Sequence, residues 1–310
     1  MTERARLRIG TRGSPLALAQ AHIVRARLAG TSQIDPAAIE IVTMRTSGDA
    51  VRDRPLAEAG GKGLFTKEIE EALLADKIDL AVHSAKDVPT LLPKGLVLAA
   101  FPERADPRDA FVSGKFERLG DLPAGATVGS ASVRREALVR RLKPRVLVKL
   151  LRGNVNTRIE KVASGMFDAA VLALAGLERL GLSGKAKEVL DLEVFPPSVG
   201  QGAIAIEIRV GDRGTETLVA AINDAATSIA LAAERAFLEE LDGSCRTPIA
   251  GHARVLGGRV RFHGLVISPD GREAAETRRE GLPADAARLG ADAGRELKSR
   301  APAGVLAMLG

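Results

Sequence analysis

The sequence contains no tryptophan and no tyrosine, and phenylalanine alone makes up its 3% of aromatic residues. Its core must therefore be aliphatic, and a nucleic-acid site built on base stacking would have few residues to use. A single cysteine, Cys245, forbids an internal disulfide and fits a reducing compartment. One cysteine cannot build a zinc site, and the four histidines (His22, His83, His252, His263) show no ligand spacing, so no metal is expected. No apolar run approaches the ~18 residues of a membrane span. The N-terminal Met-Thr-Glu-Arg-Ala-Arg-Leu-Arg has no apolar signal region. These absences lead us to expect a cytoplasmic enzyme or binding protein without membrane contact.

What is present is an ordinary globular composition, 45% hydrophobic and 27% charged, with a net charge of +6. The 310 residues suit two or three domains. A basic excess can serve nucleic acid, a membrane surface or a small polyanion, and the positions of the arginines discriminate between these. The most informative stretch is Asp79-Leu-Ala-Val-His-Ser-Ala-Lys-Asp-Val-Pro89. Leu80 to Val82 reads as a buried strand, followed at once by His83, Ser84, Lys86 and Asp87. Proteins of the α/β class bind ligands at the carboxyl ends of strands. A polar turn with Lys86 paired to Asp87 is the plainer alternative.

Along the chain, Leu7 to Gly10 reads as a strand. Ser14 then caps a helix that starts at Pro15, runs to Leu28 and ends at Gly30. Ile39 to Met44 is a second strand. Residues 46–62 are polar and glycine-rich without periodicity, which predicts a functional lid or a mobile segment. Leu64, Phe65, Ile69, Leu73 and Leu74 line one face of a helix. Leu96 to Ala100 is another strand, and Glu103 to Asp109 reads as a crossover between domains.

The pattern then restarts with a strand over Thr127–Gly129, a capping turn at Ser130-Ala-Ser132, and a helix over Val133–Leu142. A strand over Val146–Leu150, a helix ending near Gly165 and a strand over Asp168–Leu174 follow. Lys62-Gly63, Ile69 and Asp79-Leu-Ala-Val82 parallel Arg152-Gly153, Ile159 and Asp168-Ala-Ala-Val171, and the Gly10 and Gly129 turns match likewise. Two similar α/β domains facing one another across a cleft are expected. Ile204 to Ile208 is a late strand able to return to the first sheet. Leu218 to Leu241 reads as helical, and Ile249–Leu256 and Arg259–Ile267 alternate around Gly257-Gly258 as a hairpin. With a helix over Pro283–Lys298, these make a small α+β domain with an antiparallel sheet.

Three basic clusters fall at strand-to-helix turns: Arg12 with Ser14; Ser132 with Arg134 and Arg135; Arg152 with Asn154 and Arg158. Helix N-termini attract anions, and arginines placed there concentrate positive potential that an anion relieves. Guanidinium forks suit carboxylates. No zinc, recognition-helix or RRM motif supports DNA or RNA binding, and no GxxxxGK[ST] loop supports a nucleotide. Cys245 stands in Gly-Ser-Cys-Arg-Thr-Pro248; a small buried thiol is the commoner fate of a lone cysteine, and its loop placement beside Arg246 argues for a more reactive thiolate.

Taken together, these motifs closely resemble the porphobilinogen deaminase (hydroxymethylbilane synthase) family. The matching stretches are Arg-Ile-Gly-Thr-Arg-Gly-Ser-Pro-Leu-Ala-Leu-Ala-Gln, Gly-Gly-Lys-Gly-Leu-Phe, Ala-Val-His-Ser-Ala-Lys-Asp-Val-Pro, Arg-Gly-Asn-Val-Asn-Thr-Arg, Val-Gly-Gln-Gly-Ala and Gly-Ser-Cys-Arg-Thr-Pro. The resemblance runs nearly end to end. It implies two type II periplasmic-binding-protein-like α/β domains, residues 1–103 with 203–222 and residues 104–202. A small α+β domain over 223–310 would carry the cofactor. It further implies a cytoplasmic, monomeric transferase of haem biosynthesis. Such an enzyme condenses four porphobilinogen molecules head to tail with loss of ammonia, and hydrolysis then frees hydroxymethylbilane.

By the same resemblance Cys245 holds a dipyrromethane cofactor through a thioether, and Asp87 is the catalytic carboxylate beside an azafulvene cation. Arg12, Ser14, Lys86, Ser132, Arg134, Arg135, Arg152 and Arg158 bind the acetate and propionate groups of cofactor and substrate. Lys62 and Phe65 belong to the cover of the active site. Departures from the family pattern are Ser244 for glycine, Ser130 for threonine and Ala85 for a larger apolar residue.

Overall fold

The computed structural model describes residues 7–32, 34–50, 63–241, 247–301 and 303–306. Lys62, Cys245 and most of the 46–62 segment lie outside them.

The chain opens with β1 (Leu7–Arg12), α1 (Pro15–Ser32), β2 (Ile39–Met44), the single turn α2 (Ser47–Ala50), α3 (Lys67–Leu74), β3 (Leu80–Ser84) and β4 (Leu96–Ala100). Helix α1 starts where expected, because Ser14 Oγ accepts a hydrogen bond from Ala17 N at 3.3 Å. Ala17, Ala21, Val24 and Leu28 form its buried stripe at three- and four-residue spacing. Burying Val24 and Leu28 stabilises its docking by about 1.5–3 kcal/mol each. The helix runs through Gly30 rather than ending there. Helix α3 begins later than its apolar pattern suggested: Leu64 and Phe65 precede it, and Leu74 is exposed.

Next come β5 (Asp109–Ser113), β6 (Thr127–Ser130), α4 (Val133–Leu142), β7 (Leu147–Leu150), α5 (Val155–Ala163), β8 (Ala169–Ala173), α6 (Leu174–Arg179) and the two-residue β9 (Glu188–Val189). Asp109 is therefore the first residue of a buried strand and not part of a crossover. Strand β10 (Ile204–Arg209) follows, then α7 (Arg213–Ala220) and α8 (Ala225–Glu240). The expected single helix over 218–241 is broken at Asp224, whose carboxylate accepts from Thr227 N at 2.7 Å and starts α8. Last come β11 (Ile249–Leu256), β12 (Arg259–Ile267), β13 (Ala274–Gly281) and α9 (Ala286–Arg300).

The described residues of the first compact unit come from 7–50, 63–105 and 203–228, and its sheet has the order β2-β1-β3-β10-β4. Strands β1, β2 and β3 are mutually parallel, and β10 inserts antiparallel between β3 and β4 as the sequence suggested. The described residues of the second unit come from 106–202, 229–241, 247–301 and 303–306, with one sheet of order β7-β6-β8-β5-β9 and a second of order β11-β12-β13. Again β6, β7 and β8 are parallel while β5 is antiparallel to β8. The two five-stranded sheets are thus wound alike, which gives the internal repeat its structural basis.

Within each sheet the repeated aspartate does the same work. Asp79 accepts from Arg8 N at 2.7 Å and returns its own N–H to Arg8 O at 2.9 Å. Asp168 accepts from Thr127 N at 2.8 Å and donates to Thr127 O at 2.9 Å. Each carboxylate closes the start of the neighbouring parallel strand. Gly10 and Gly129 also share a reason. A Cβ would lie 2.2 Å from the side chain of Ile78 at Gly10, and 3.1 Å from Phe167 and 2.6 Å from Leu151 at Gly129. Ile78 and Phe167 each stand one residue before the capping aspartate.

In the second unit, Ala250, Leu265 and Ile267 of the three-stranded sheet share a core with Phe111, Val128 and Val171 of the five-stranded one. The opposite face of the three-stranded sheet packs on α8 and α9 around Phe237 and Phe262, whose ring centroids are 4.9 Å apart.

Candidate active site

In the first unit the parallel strands end in the residues the sequence singled out. Arg12 is the last residue of β1, and its guanidinium lies over the ring of Phe65, 4.1 Å from the centroid. Stacking of this kind fixes the planar fork without using its N–H donors. The turn carrying Phe65 is tied to α2, where Gly48 N donates to Leu64 O at 2.8 Å. Glu68 accepts from Ser47 N at 2.8 Å. Burial alone would raise the Glu68 carboxyl, but hydrogen bonds donated by the Ser47 hydroxyl first, and then by the Glu68 and Ser47 N–H groups, bring it below the usual range. Ser14 spends its hydroxyl on capping α1.

Strand β3 delivers Ser84 and then a short turn carrying Lys86 and Asp87, both half-buried. Among the described residues Asp87 forms no ion pair, so the self-paired Lys86–Asp87 turn is not what the structure holds. The strand end is pinned behind it. Thr11 Oγ1 donates to Val82 O at 3.2 Å, Gln20 Nε2 donates to Ser84 Oγ at 2.9 Å, and Ala85 N donates to Ala203 O at 3.0 Å.

In the second unit Ser132 caps α4, accepting from Arg135 N at 3.4 Å, and places Arg134 and Arg135 in the first turn. Both arginines are buried on Asp109. Arg134 Nη2 donates to Asp109 Oδ2 at 2.7 Å, and Arg135 Nε and Nη2 donate to Oδ1 at 3.0 and 2.7 Å. Gln201 Nε2 adds a bond to the same Oδ1 at 2.9 Å, and Arg134 Nη1 reaches Pro196 O at 2.6 Å. Burial would raise the Asp109 carboxyl, yet Arg134 and Arg135 hold it at about 2. Burial is also the leading cause of the lowered value of Arg134, whose Nε has no hydrogen-bond partner among the described residues.

Arg152 follows the end of β7, and Asn154 caps α5 by accepting from Thr157 N at 3.0 Å. Arg158 on that helix donates from Nε to Gly153 O at 2.8 Å. Arg152 and Arg158 are half-buried.

Sequence reasoning missed Asp109, Gln201 and the buried pair His83–Glu207. The Asp109 clue was the apolar run Ala110-Phe111-Val112, which marks a strand rather than a crossover. Glu207 sits inside the apolar Ile204–Ile208 run, where a charge needs a partner. Among the described residues no cluster of histidine, cysteine and acidic groups could hold a metal ion. No helix among the described residues is long and apolar enough to cross a membrane.

Cationic forks can take carboxylates, while Asp87 can accept an N–H or face a positive charge. Fold and site together define an α/β protein whose candidate functional groups stand at the carboxyl ends of parallel strands. Residues 7–217 match the family model "Porphobilinogen deaminase, dipyromethane cofactor binding domain", and residues 228–299 match "Porphobilinogen deaminase, C-terminal domain". The porphobilinogen deaminase of Nitrobacter winogradskyi is 62% identical over 293 residues, covering 94% of this chain and 93% of that protein. The porphobilinogen deaminase of Nitrobacter hamburgensis is 61% identical with the same coverage. The chain belongs to the porphobilinogen deaminase family. Solved structures similar to it include the methionine-binding protein MetQ, at TM-score 0.45 and 15% identity over 71% of this chain and 91% of that one. A periplasmic substrate-binding protein of Coxiella burnetii matches with TM-score 0.44 and 15% identity over 70% of this chain and 91% of that one.

Proposed function

We propose that this chain polymerises porphobilinogen at the turn that carries Asp87, with Cys245 holding a dipyrromethane cofactor through a thioether. The chain is a transferase of tetrapyrrole biosynthesis. The observation that carries the site reading is Asp87: a half-buried carboxylate at a strand end, outside any ion pair among the described residues. The donor set suits a group whose pyrroles bear acetate and propionate side chains, because Arg12, Arg152 and Arg158 offer guanidinium groups at strand ends and helix starts. When bound, the cofactor supplies the pyrrole terminus to be extended.

Asp87 accepts the pyrrole N–H of the substrate and balances the positive charge that develops as the aminomethyl C–N bond breaks and ammonia leaves. Ser14 and Lys86 on the first unit, and Ser132 on the second, donate to carboxylates, and resemblance to the family gives Lys62 and Phe65 to the cover. Arg134 and Arg135 act from a fixed position on Asp109. We read three functional domains, 1–103 with 203–222, 104–202 and 223–310, in a monomeric, cytoplasmic enzyme that stops at four units and needs no metal. A small-acid binding protein is the alternative from another class, and it has no use for Cys245.

Intact mass tests the attachment. Protein made in a host able to form the cofactor should exceed its sequence mass by a covalent pyrrole pair, and Cys245→Ala should return it to the bare mass. Pyrrole retained on Cys245→Ala would refute the attachment site. Asp87→Ala should keep the cofactor but lose turnover by about two orders of magnitude or more, and near-normal turnover would refute the role of Asp87.

A further inference from the structure

Behind the strand end that bears Asp87, the first unit buries two carboxylates and an imidazole. His83 on β3, Glu207 on β10 and Glu70 on α3 are 5%, 0% and 6% exposed. His83 Nε2 lies 3.1 Å from Glu207 Oε2, so the ring donates and the carboxylate accepts. Among the described residues, the other oxygen of Glu207 and Oε1 of Glu70 are buried without a hydrogen-bond partner. Burial pushes the Glu70 carboxyl up; the nearby Thr66 hydroxyl and His83 work against this, and the charge of Glu207 adds to the rise. Thr66 and Glu68 face the cluster from α3 and its start, Glu207 from β10 and His83 from β3.

One imidazolium can match one buried carboxylate, but a second buried anion would stand uncompensated. A proton kept on Glu70 removes that charge. The cluster also sits at a sensitive place. Ala205, two residues from Glu207, is the register partner of His83, and only three residues separate His83 from Asp87. A slip at His83 therefore moves the carboxylate.

We propose that Glu70, His83 and Glu207 form a buried acid–histidine–acid cluster that holds the end of β3 on β10 and so positions Asp87, one acidic proton keeping the cluster near neutral. All three are positioning residues. The inference rests on the role given above to Asp87.

The test uses the full-length holoenzyme with Glu70→Gln and Glu207→Gln, each alone and combined with Asp87→Asn. Glu207→Gln should lower kcat about tenfold while KM stays within about twofold. In the Asp87→Asn background it should lower kcat no further, because nothing is left to position. The parent enzyme should show an alkaline fall in kcat as Glu70 loses its proton, and Glu70→Gln, having no proton to lose, should not. An unchanged alkaline limb in Glu70→Gln overturns the proposal, as does a Glu207→Gln loss that persists undiminished beside Asp87→Asn. Should Glu207→Gln fail to fold, the Glu70→Gln profile decides alone. Should Asp87→Asn retain normal turnover, the assignment of Asp87 falls. The cluster is then judged by infrared difference spectra: a protonated-carboxyl band at neutral pH, lost in Glu70→Gln, upholds it, and absence of that band in the parent enzyme overturns it.

Discussion

Arginines that look interchangeable in the sequence play different parts in the structure. Arg12 ends β1 and stacks on Phe65, which fixes the plane of its guanidinium. Arg134 is buried and already engaged by Asp109 and Pro196. Losing a charged hydrogen-bond partner costs about 1.5–3 kcal/mol. Arg12→Leu should therefore lower kcat/KM by about 10- to 100-fold with little change in the unfolding midpoint. Arg134→Leu should instead destabilise the fold by about 3–5 kcal/mol, because Asp109 then loses half its compensation. Steady-state kinetics and chemical denaturation of the two variants separate these effects. Equal loss of stability in both would contradict the division.

At the level of the element, β5 and α4 are locked by a carboxylate that folding keeps ionised. Asp109 is lowered from 3.8 to about 2, so its contribution is complete above the ordinary value and disappears as the pH falls through about 2. Stability measured by denaturant titration should fall across that acid window, and Asp109→Asn should flatten the slope while lowering stability at neutral pH. An unaltered acid slope in Asp109→Asn would show that the carboxylate does not contribute. Strand β1 offers a packing test. Gly10→Ala places a methyl against Ile78 and should cost about 1–3 kcal/mol. Ile78→Val in the same chain should recover part of that loss, read from the denaturation midpoint.

At the level of the whole molecule, the second unit couples its two sheets. Ala250, Leu265 and Ile267 belong to the same core as Phe111. The fully buried Glu234 accepts from Gly200 N at 2.7 Å and from Ala253 N at 2.8 Å. Both sheets should consequently unfold in one calorimetric transition. Glu234→Ala, which leaves two buried amides without an acceptor, should destabilise that transition by about 2–5 kcal/mol. Separate melting of the three-stranded sheet in the unaltered protein would contradict the shared core.

The sequence by itself determined the parallel strands, the capping serines and the late return of β10, because these depend on local periodicity and turn chemistry. Leu80–Val82 ends in Asp87, Ser132 caps α4, and Gly257-Gly258 turns the β11–β12 hairpin as their residue types dictate. Strand β13 stayed hidden because Ala-Ala-Glu-Thr-Arg-Arg-Glu-Gly is polar, as suits an edge strand with one face in solvent. Only tertiary structure decided what the charges do. Asp109 meets Arg134 across 25 residues and Glu207 meets His83 across 124. No local pattern encodes such pairs, and burial, which makes each partner indispensable, exists only once the sheets have formed. Composition showed a basic protein with scattered arginines, and the folded chain buries Arg134 and Arg135 on Asp109 while Arg12 ends a strand.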